Sequence, residues 1–226
     1  MNEKTSIIVS TYDQNMLSRN ITALCLNCIE MYTDHEDYEL ILVDNEPFAD
    51  LNMRNTYCKI DKHIINEKDP GFSAAINQGV RASDPNNKYL CFIHPDVFVQ
   101  EGWLKGLMED LNKNNASAVW PMQRPMNRDR VKAVYEGTGG GADDAGLNFL
   151  TRDIYNKMGG LNEVFQTIYH DAALRTMVVD AGGQTYMSRR VIINHIGAGT
   201  LESIWYTKFQ ERRGPEGEEL SKINKQ

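Results

Sequence analysis

The stretch Tyr89-Leu-Cys-Phe-Ile-His-Pro-Asp-Val-Phe-Val99 decides how the rest of the chain is read. An apolar run of five residues is the pattern of a strand buried on both faces, and Pro95 fits only where the hydrogen-bonded ladder stops. Asp96 therefore stands at a strand exit. In an open α/β sheet ligands bind in the crevice beyond the carboxyl ends of the strands, and a carboxylate placed there loses solvation unless something uses it. Asp96 is accordingly expected to hold a metal ion or a ligand hydroxyl.

The same pattern recurs upstream. Ser6-Ile-Ile-Val-Ser10 reads as a short buried strand running into Thr11-Tyr12-Asp13-Gln14, with Asp13 as the expected helix N-cap. Residues 15–32 then place Leu17, Ile21, Leu24, Cys28 and Met31 at spacings of three and four, which predicts a helix with that face inward. Glu39-Leu-Ile-Leu-Val43 is a second strand, stopping at Asp44 and the turn-like Asn45-Glu46-Pro47. His63-Ile-Ile-Asn66 is a third, followed by a helix over residues 73–81. Strands alternating with helices predict a mostly parallel sheet. Thr11, Asp44, Asn66 and Asp96 then all emerge at one carboxyl edge. A single acid at a strand end is more often a turn former, but this convergence is harder to explain that way.

Downstream, Leu104, Leu107, Met108 and Leu111 predict a helix, and Ala116-Ser-Ala-Val-Trp120-Pro121 a further strand. Arg124, Arg128, Arg130 and Lys132 form a basic cluster, either a solvated surface or a hint of an anionic acceptor such as a lipid-linked phosphate. The glycine-rich run from Gly137 to Gly146 reads as a surface loop or as one that orders over a ligand. Leu147-Asn-Phe-Leu150 resumes order, a short helix over residues 152–158 ends at Gly159-Gly160, and a helix follows with Asp171 near its start. Gln184–Ser188 and Val191–His195 read as two strands, and residues 213–226 as a solvated tail.

The bulk numbers fit this picture. At 226 residues the chain can bury about 70% of its unfolded surface. No apolar run approaches the roughly 20 residues that span a bilayer, and no signal-peptide core follows the first residues. The chain reads as cytoplasmic, with room for peripheral contact with the membrane. A net charge of −7 argues against a nucleic-acid partner, so an anionic ligand needs a local cation. Cys25 and Cys28 form a lone CxxC inside a helical run, so buried free thiols are expected for these and for Cys58 and Cys91 rather than a zinc site. No GxGxxG follows a strand and no P-loop motif is present.

Together these segments resemble the inverting, nucleotide-sugar-dependent glycosyltransferases of family 2, with the GT-A fold. The likeness runs from Ser6 to Gly199. Ile7-Ile-Val-Ser-Thr-Tyr-Asp13 is similar to the opening "PTYN" strand and turn, Leu40-Ile-Leu-Val-Asp-Asn45 to "IIVVDN", and Gly71-Phe-Ser-Ala-Ala-Ile-Asn-Gln-Gly79 to the "GFaxaxNxG" helix. Tyr89 to Asp96 stands where the family has "YLxFLDxD", Met158-Gly-Gly-Leu-Asn-Glu163 resembles "GGFDE", His170-Asp171 the "ED" pair, and Val191-Ile-Ile-Asn-His195 a terminal "xxxH".

The resemblance implies a single GT-A-type, Rossmann-like α/β domain. Residues 1–120 would form the nucleotide-sugar half and 121–202 the acceptor and catalytic half, with a C-terminal helix or tail over 203–226. Thr11, Tyr12, Asp44, Asn66 and His94 would line the nucleotide. Asp96 and His195 would bind Mn²⁺ or Mg²⁺, the donor diphosphate completing the shell. Asp171 would be the general base, and Trp120, His170 and Arg175 would lie on the acceptor side. The partners implied are a nucleoside diphosphate sugar, with UDP or dTDP as the expected nucleotide, and a carbohydrate or lipid-linked glycan, as in polysaccharide biosynthesis. The sequence departs from the family at His94 in place of the first Asp of DxD, at Pro95, at His170 in place of Glu, and at Ala173. His94 is expected either to reach the ribose or metal as a neutral imidazole or to weaken metal binding. Competing readings are a catalytically silent sugar-nucleotide or glycan-binding module and a nucleotidyltransferase, though Thr11-Tyr-Asp-Gln-Asn15 lacks the latter's Gly-rich signature.

Overall fold

The structure, a computed structural model, describes residues 2–45, 58–125, 146–166, 170–197 and 205–223. Among them eight strands form one sheet: β1 (Asn2–Thr11), β2 (Tyr38–Asn45), β3 (Lys62–Asn66), β4 (Asn87–Ile93), β5 (Val97–Phe98), β6 (Ala118–Pro125), β7 (Leu147–Thr151) and β8 (Thr185–His195), in the order β3-β2-β1-β4-β7-β6-β8-β5. The first four in that order are parallel, β7 runs against both β4 and β6, and β6 and β8 are parallel again. The helices are α1 (Met16–Tyr32), α2 (Phe72–Ala82), α3 (Trp103–Lys113), α4 (Arg152–Met158), α5 (His170–Asp180) and α6 (Trp205–Ile223).

Side chains alternate across a strand, and here the alternation splits the core into two layers. Ile7, Val9, Leu40, Leu42, Cys91 and Ile93 pack on one face against Cys25, Leu26 and Ile29 of α1 and Trp103, Leu104 and Leu107 of α3. Ile8, Ile41, Val43, Leu90 and Phe92 pack on the other against Ala75, Ile76 and Val80 of α2, Ile154 and Tyr155 of α4 and Leu174 and Val178 of α5. All eight residues of β2 are buried, as a strand covered on both faces requires. Gly79 lets α2 lie close on this sheet, since a Cβ there would stand 2.5 Å from Ile8 Cγ2.

Several local expectations need correction. The cap of α1 is Asn15, not Asp13: the Asn15 side chain accepts from Ser18 N–H at 2.9 Å, while Asp13 is buried and its Oδ1 accepts from Thr22 Oγ1 at 2.9 Å. The helix also buries a different face. Leu17, Leu24 and Met31 are 67%, 54% and 70% exposed, and Ser18, Ile21, Thr22, Cys25, Leu26 and Ile29 point inward. Both sets recur at helical spacing, and the inward set carries Thr22, which donates to Asp13, and Ser18, which bonds the cap residue Asn15. The two expected strands at residues 184–188 and 191–195 are one, β8, with a register shift against β6 between Trp120 and Met122. Pro121 has no N–H to give the ladder there. The expected tail is helical as far as Ile223, with Glu216 buried. Cys25, Cys28, Cys58 and Cys91 are free thiols. Among the described residues no helix is long and apolar enough to cross a membrane. The turn at Glu46-Pro47, the basic residues Arg128, Arg130 and Lys132, and residues 137–145 of the glycine-rich run lie outside the described residues.

Candidate functional site

The strand registers bring the predicted residues to one edge. Thr11 pairs with Asp44 across β1 and β2, and Asn66 stands beside Asn45 across β2 and β3. Thr11 Oγ1 is 3.4 Å from Thr22 Oγ1. The amide of Asn66 donates to Asn45 Oδ1 at 2.8 Å and to Gln78 Oε1 at 2.7 Å, and Asn45 donates to Ser10 Oγ at 3.1 Å. Asp44 is fully buried, with His63 Nε2 3.5 Å from its Oδ2. Tyr12 follows at the same strand exit, half-buried.

The exit of β4 is clamped on two sides. His94 N–H donates to the Gly146 carbonyl at 2.7 Å, and Ile196 N–H to the Asp96 carbonyl at 3.1 Å, while Val97 of β5 pairs with His195 of β8. This turn sets Asp96 Oδ1 3.2 Å from His195 Nε2, both side chains buried. On its other side the His195 ring meets Gln123, with Nδ1 2.7 Å from Oε1. In the tautomer whose Nδ1–H donates to Oε1, Nε2 presents a lone pair to the carboxylate. Two electron-rich atoms held 3.2 Å apart in a buried corner fit a cation between them, and the donor set of His94, Asp96 and His195 clusters within 4.8 Å. These residues fit a divalent ion with one or two imidazoles and further oxygens. Gly146 closes over the ring: a Cβ there would stand 2.8 Å from His195 Cε1.

A second group begins at His94. Its Nε2 is 3.0 Å from His170 Nε2, which in turn lies 3.4 Å from Asp171 Oδ2. The Asn148 amide donates to Asp171 Oδ1 at 2.9 Å. Phe72, at the start of α2, walls in both imidazoles, with ring centroids 4.8 Å from His94 and 4.2 Å from His170. Enclosure has electrostatic consequences. Loss of hydration pulls His94 down to about 4, and the neighbouring His170 and His195 rings add to this against Asp171 and Asp96. Burial likewise pulls His170 down to about 4. Both rings are neutral at pH 7, so the approach of His170 to Asp171 is not an ion pair there. Burial raises Asp171 above the ordinary carboxylate value, with His94 and the Asn148 hydrogen bond opposing. One turn along α5, the Arg175 guanidinium lies 4.9 Å over the Trp120 ring.

The structure thus joins His94, Asp96, His170, Asp171 and His195 in one corner, sets Trp120 and Arg175 against each other, and ranges Thr11, Asp44 and Asn66 along the sheet edge. Sequence reasoning missed Gln123, Asn148, Gly146 and Phe72 as neighbours of these groups. Asn148 carried the clearest signal, a polar residue inside the buried run Leu147-Asn-Phe-Leu150.

Solved structures share this architecture. A mannosyltransferase from Pyrobaculum calidifontis, solved with GDP-Man and Mn²⁺, superposes with a TM-score of 0.67 at 16% identity, covering 93% of this chain and 60% of that one. Staphylococcus aureus TarS residues 1–349, solved with UDP, gives 0.64 at 12% identity, covering 84% and 60%. This chain spans about 60% of the length of both. At these identities the likeness shows the fold. No curated protein matches the chain. The sequence itself matches the model of glycosyl transferase family 2 over residues 6–194, and the chain belongs to that family.

Proposed function

We propose that the protein is an inverting glycosyltransferase that moves a sugar from a nucleoside diphosphate donor, a UDP- or dTDP-sugar, to an acceptor hydroxyl of a glycan. The observation that carries this reading is the corner itself: a buried carboxylate, Asp171, aligned by Asn148 and next to the cation-fitting set of His94, Asp96 and His195. Family membership and neighbours solved with GDP-Man and with UDP support a nucleotide-sugar donor.

In this reading Thr11, Tyr12, Asp44 and Asn66 receive the nucleoside along the edge of β1, β2 and β3. Asp96 and His195 would hold Mn²⁺ or Mg²⁺, and His94 beside them would line the nucleotide. A divalent cation bound there offsets the charge that develops on the departing diphosphate. Asp171 takes the proton of the acceptor hydroxyl as its oxygen attacks the anomeric carbon and the bond to the diphosphate oxygen breaks. Burial makes Asp171 a stronger base than an exposed carboxylate, and transfer of this kind is worth about 10² to 10⁴ in rate. Trp120, His170 and Arg175 face the acceptor. Residues 1–120 supply the donor side, 121–202 the acceptor side, and 203–226 a C-terminal helix or tail.

Thermal-shift screening of nucleotide sugars with Mn²⁺, followed by turnover assays against an acceptor panel, tests the proposal. Asp171→Asn is expected to lose turnover by about 10² or more while keeping nucleotide-dependent stabilisation. Stabilisation without turnover or donor hydrolysis in the unaltered protein makes it a binding module instead. Nucleotide affinity that is equal with and without EDTA removes the metal assignment.

A further inference from the structure

The two positions where this chain replaces family acids with histidine, His94 and His170, meet in space. Their Nε2 atoms are 3.0 Å apart, and His170 Nε2 is 3.4 Å from Asp171 Oδ2. A tetrahedral ion with ligands at about 2.0–2.1 Å spaces them about 3.3 Å apart, so two edges of this triangle already have nearly the length of a coordination face. All three ligand atoms lie within 4.8 Å of one another. Among the described residues His170 Nδ1 has no hydrogen-bond partner, whereas Nε2 faces His94 and Asp171; an ion bound at Nε2 would take the place of the proton there and move it to Nδ1. Asn148 anchors the other oxygen of Asp171, as an outer partner of a ligating carboxylate does. Two imidazoles and one carboxylate suit Zn²⁺, Co²⁺ or Ni²⁺. An acid at each of positions 94 and 170 would have favoured the harder Mg²⁺ or Mn²⁺.

We propose that His94, His170 and Asp171 form a second cation site, selective for a borderline transition ion such as Zn²⁺ and sharing His94 with the Asp96–His195 corner. The binding stands independently of the transferase reading. Its consequence for turnover rests on that reading: an ion that takes the lone pair of Asp171 leaves no base for the acceptor hydroxyl, so Zn²⁺ arrests transfer while Mn²⁺ supports it.

Titration calorimetry of the full chain, stripped with EDTA and dialysed, with ZnCl₂ and separately with MnCl₂ tests the site. The d–d spectrum of added Co²⁺ gives a second readout. His170→Gln and Asp171→Asn are each expected to weaken Zn²⁺ by more than the about 10- to 100-fold that losing an outer-shell partner costs. Both should also lose the Co²⁺ bands. Asp96→Asn should keep the Zn²⁺ isotherm and lose the Mn²⁺ one. A Zn²⁺ isotherm that survives in His170→Gln, or one lost in Asp96→Asn alone, places the ion elsewhere and overturns the proposal. Asp171→Asn, nearly isosteric, gives the same reading if His170→Gln does not fold. A protein that transfers no sugar yet loses Zn²⁺ in His170→Gln overturns the transferase reading and leaves the site standing.

Discussion

An imidazole enclosed away from water resists protonation, and His94 and His170 are enclosed together. Between pH 6.5 and about 4 the unfolded chain binds protons that these folded rings refuse. Stability therefore rises with pH across that window and is lost on acidification, by at most about 3 kcal/mol for either ring taken alone. Asp171 contributes the opposite slope, because its raised value makes the folded state the better proton binder above the ordinary carboxylate range. Denaturation midpoints in EDTA at pH 7 and pH 5 check this: the difference is expected to shrink in His94→Asn and His170→Gln and to grow in Asp171→Asn. That Asp96, His195 and Asp171 lie at strand and helix ends was legible in the sequence, while for Asp171 and His195 a role was implied only by the family resemblance, a first-turn acid and a structural histidine being the local readings. What Gln123 and Gly146 touch was not legible, because it is set by the pairing of β5 and β6 with β8 and by the hydrogen bond from His94 N–H to the Gly146 carbonyl, and no local pattern encodes that.

At the scale of elements, most strands and helices follow from apolar runs and helical spacing, to within a few residues at their ends. α1 shows where such reading stops. Its sequence offers two faces of comparable apolar content, and the choice falls to tertiary partners, Asp13 and the sheet, that periodicity does not contain. α2 is held more specifically. The Asn77 amide donates to the Leu161 carbonyl and to Glu163 Oε1, both at 2.9 Å, while its oxygen accepts from Tyr155 Oη at 2.7 Å and from Leu161 N–H at 2.9 Å. Asn77→Leu keeps the volume and strands those buried groups, a cost of about 3 kcal/mol. Urea denaturation measures it. A loss below about 1 kcal/mol would mean that water replaces the amide.

For the whole molecule, the parallel pairing of β1 to β4 was implicit in the alternation of strands and helices, but their order β3-β2-β1-β4 and the antiparallel entry of β7 between β4 and β6 were not. That insertion makes β4 an interior strand. A fragment ending at Lys113 would expose the β4 edge along Tyr89 to Ile93, where β7 pairs in the intact protein. Bare apolar edges pair with one another. The fragment is expected to elute as soluble aggregate in size-exclusion chromatography, whereas the full chain does not; a monomeric, cooperatively melting fragment would contradict this. Asn77 adds a consequence for recombination. The helix that carries it and the loop at residues 161–163 lie far apart in sequence, yet one side chain ties them through three hydrogen bonds and takes a fourth from Tyr155 of α4. A chimera with a crossover anywhere between the two inherits a working joint only if both parents supply matching ends, so shuffling C-terminal segments among relatives is constrained first by the amide of Asn77.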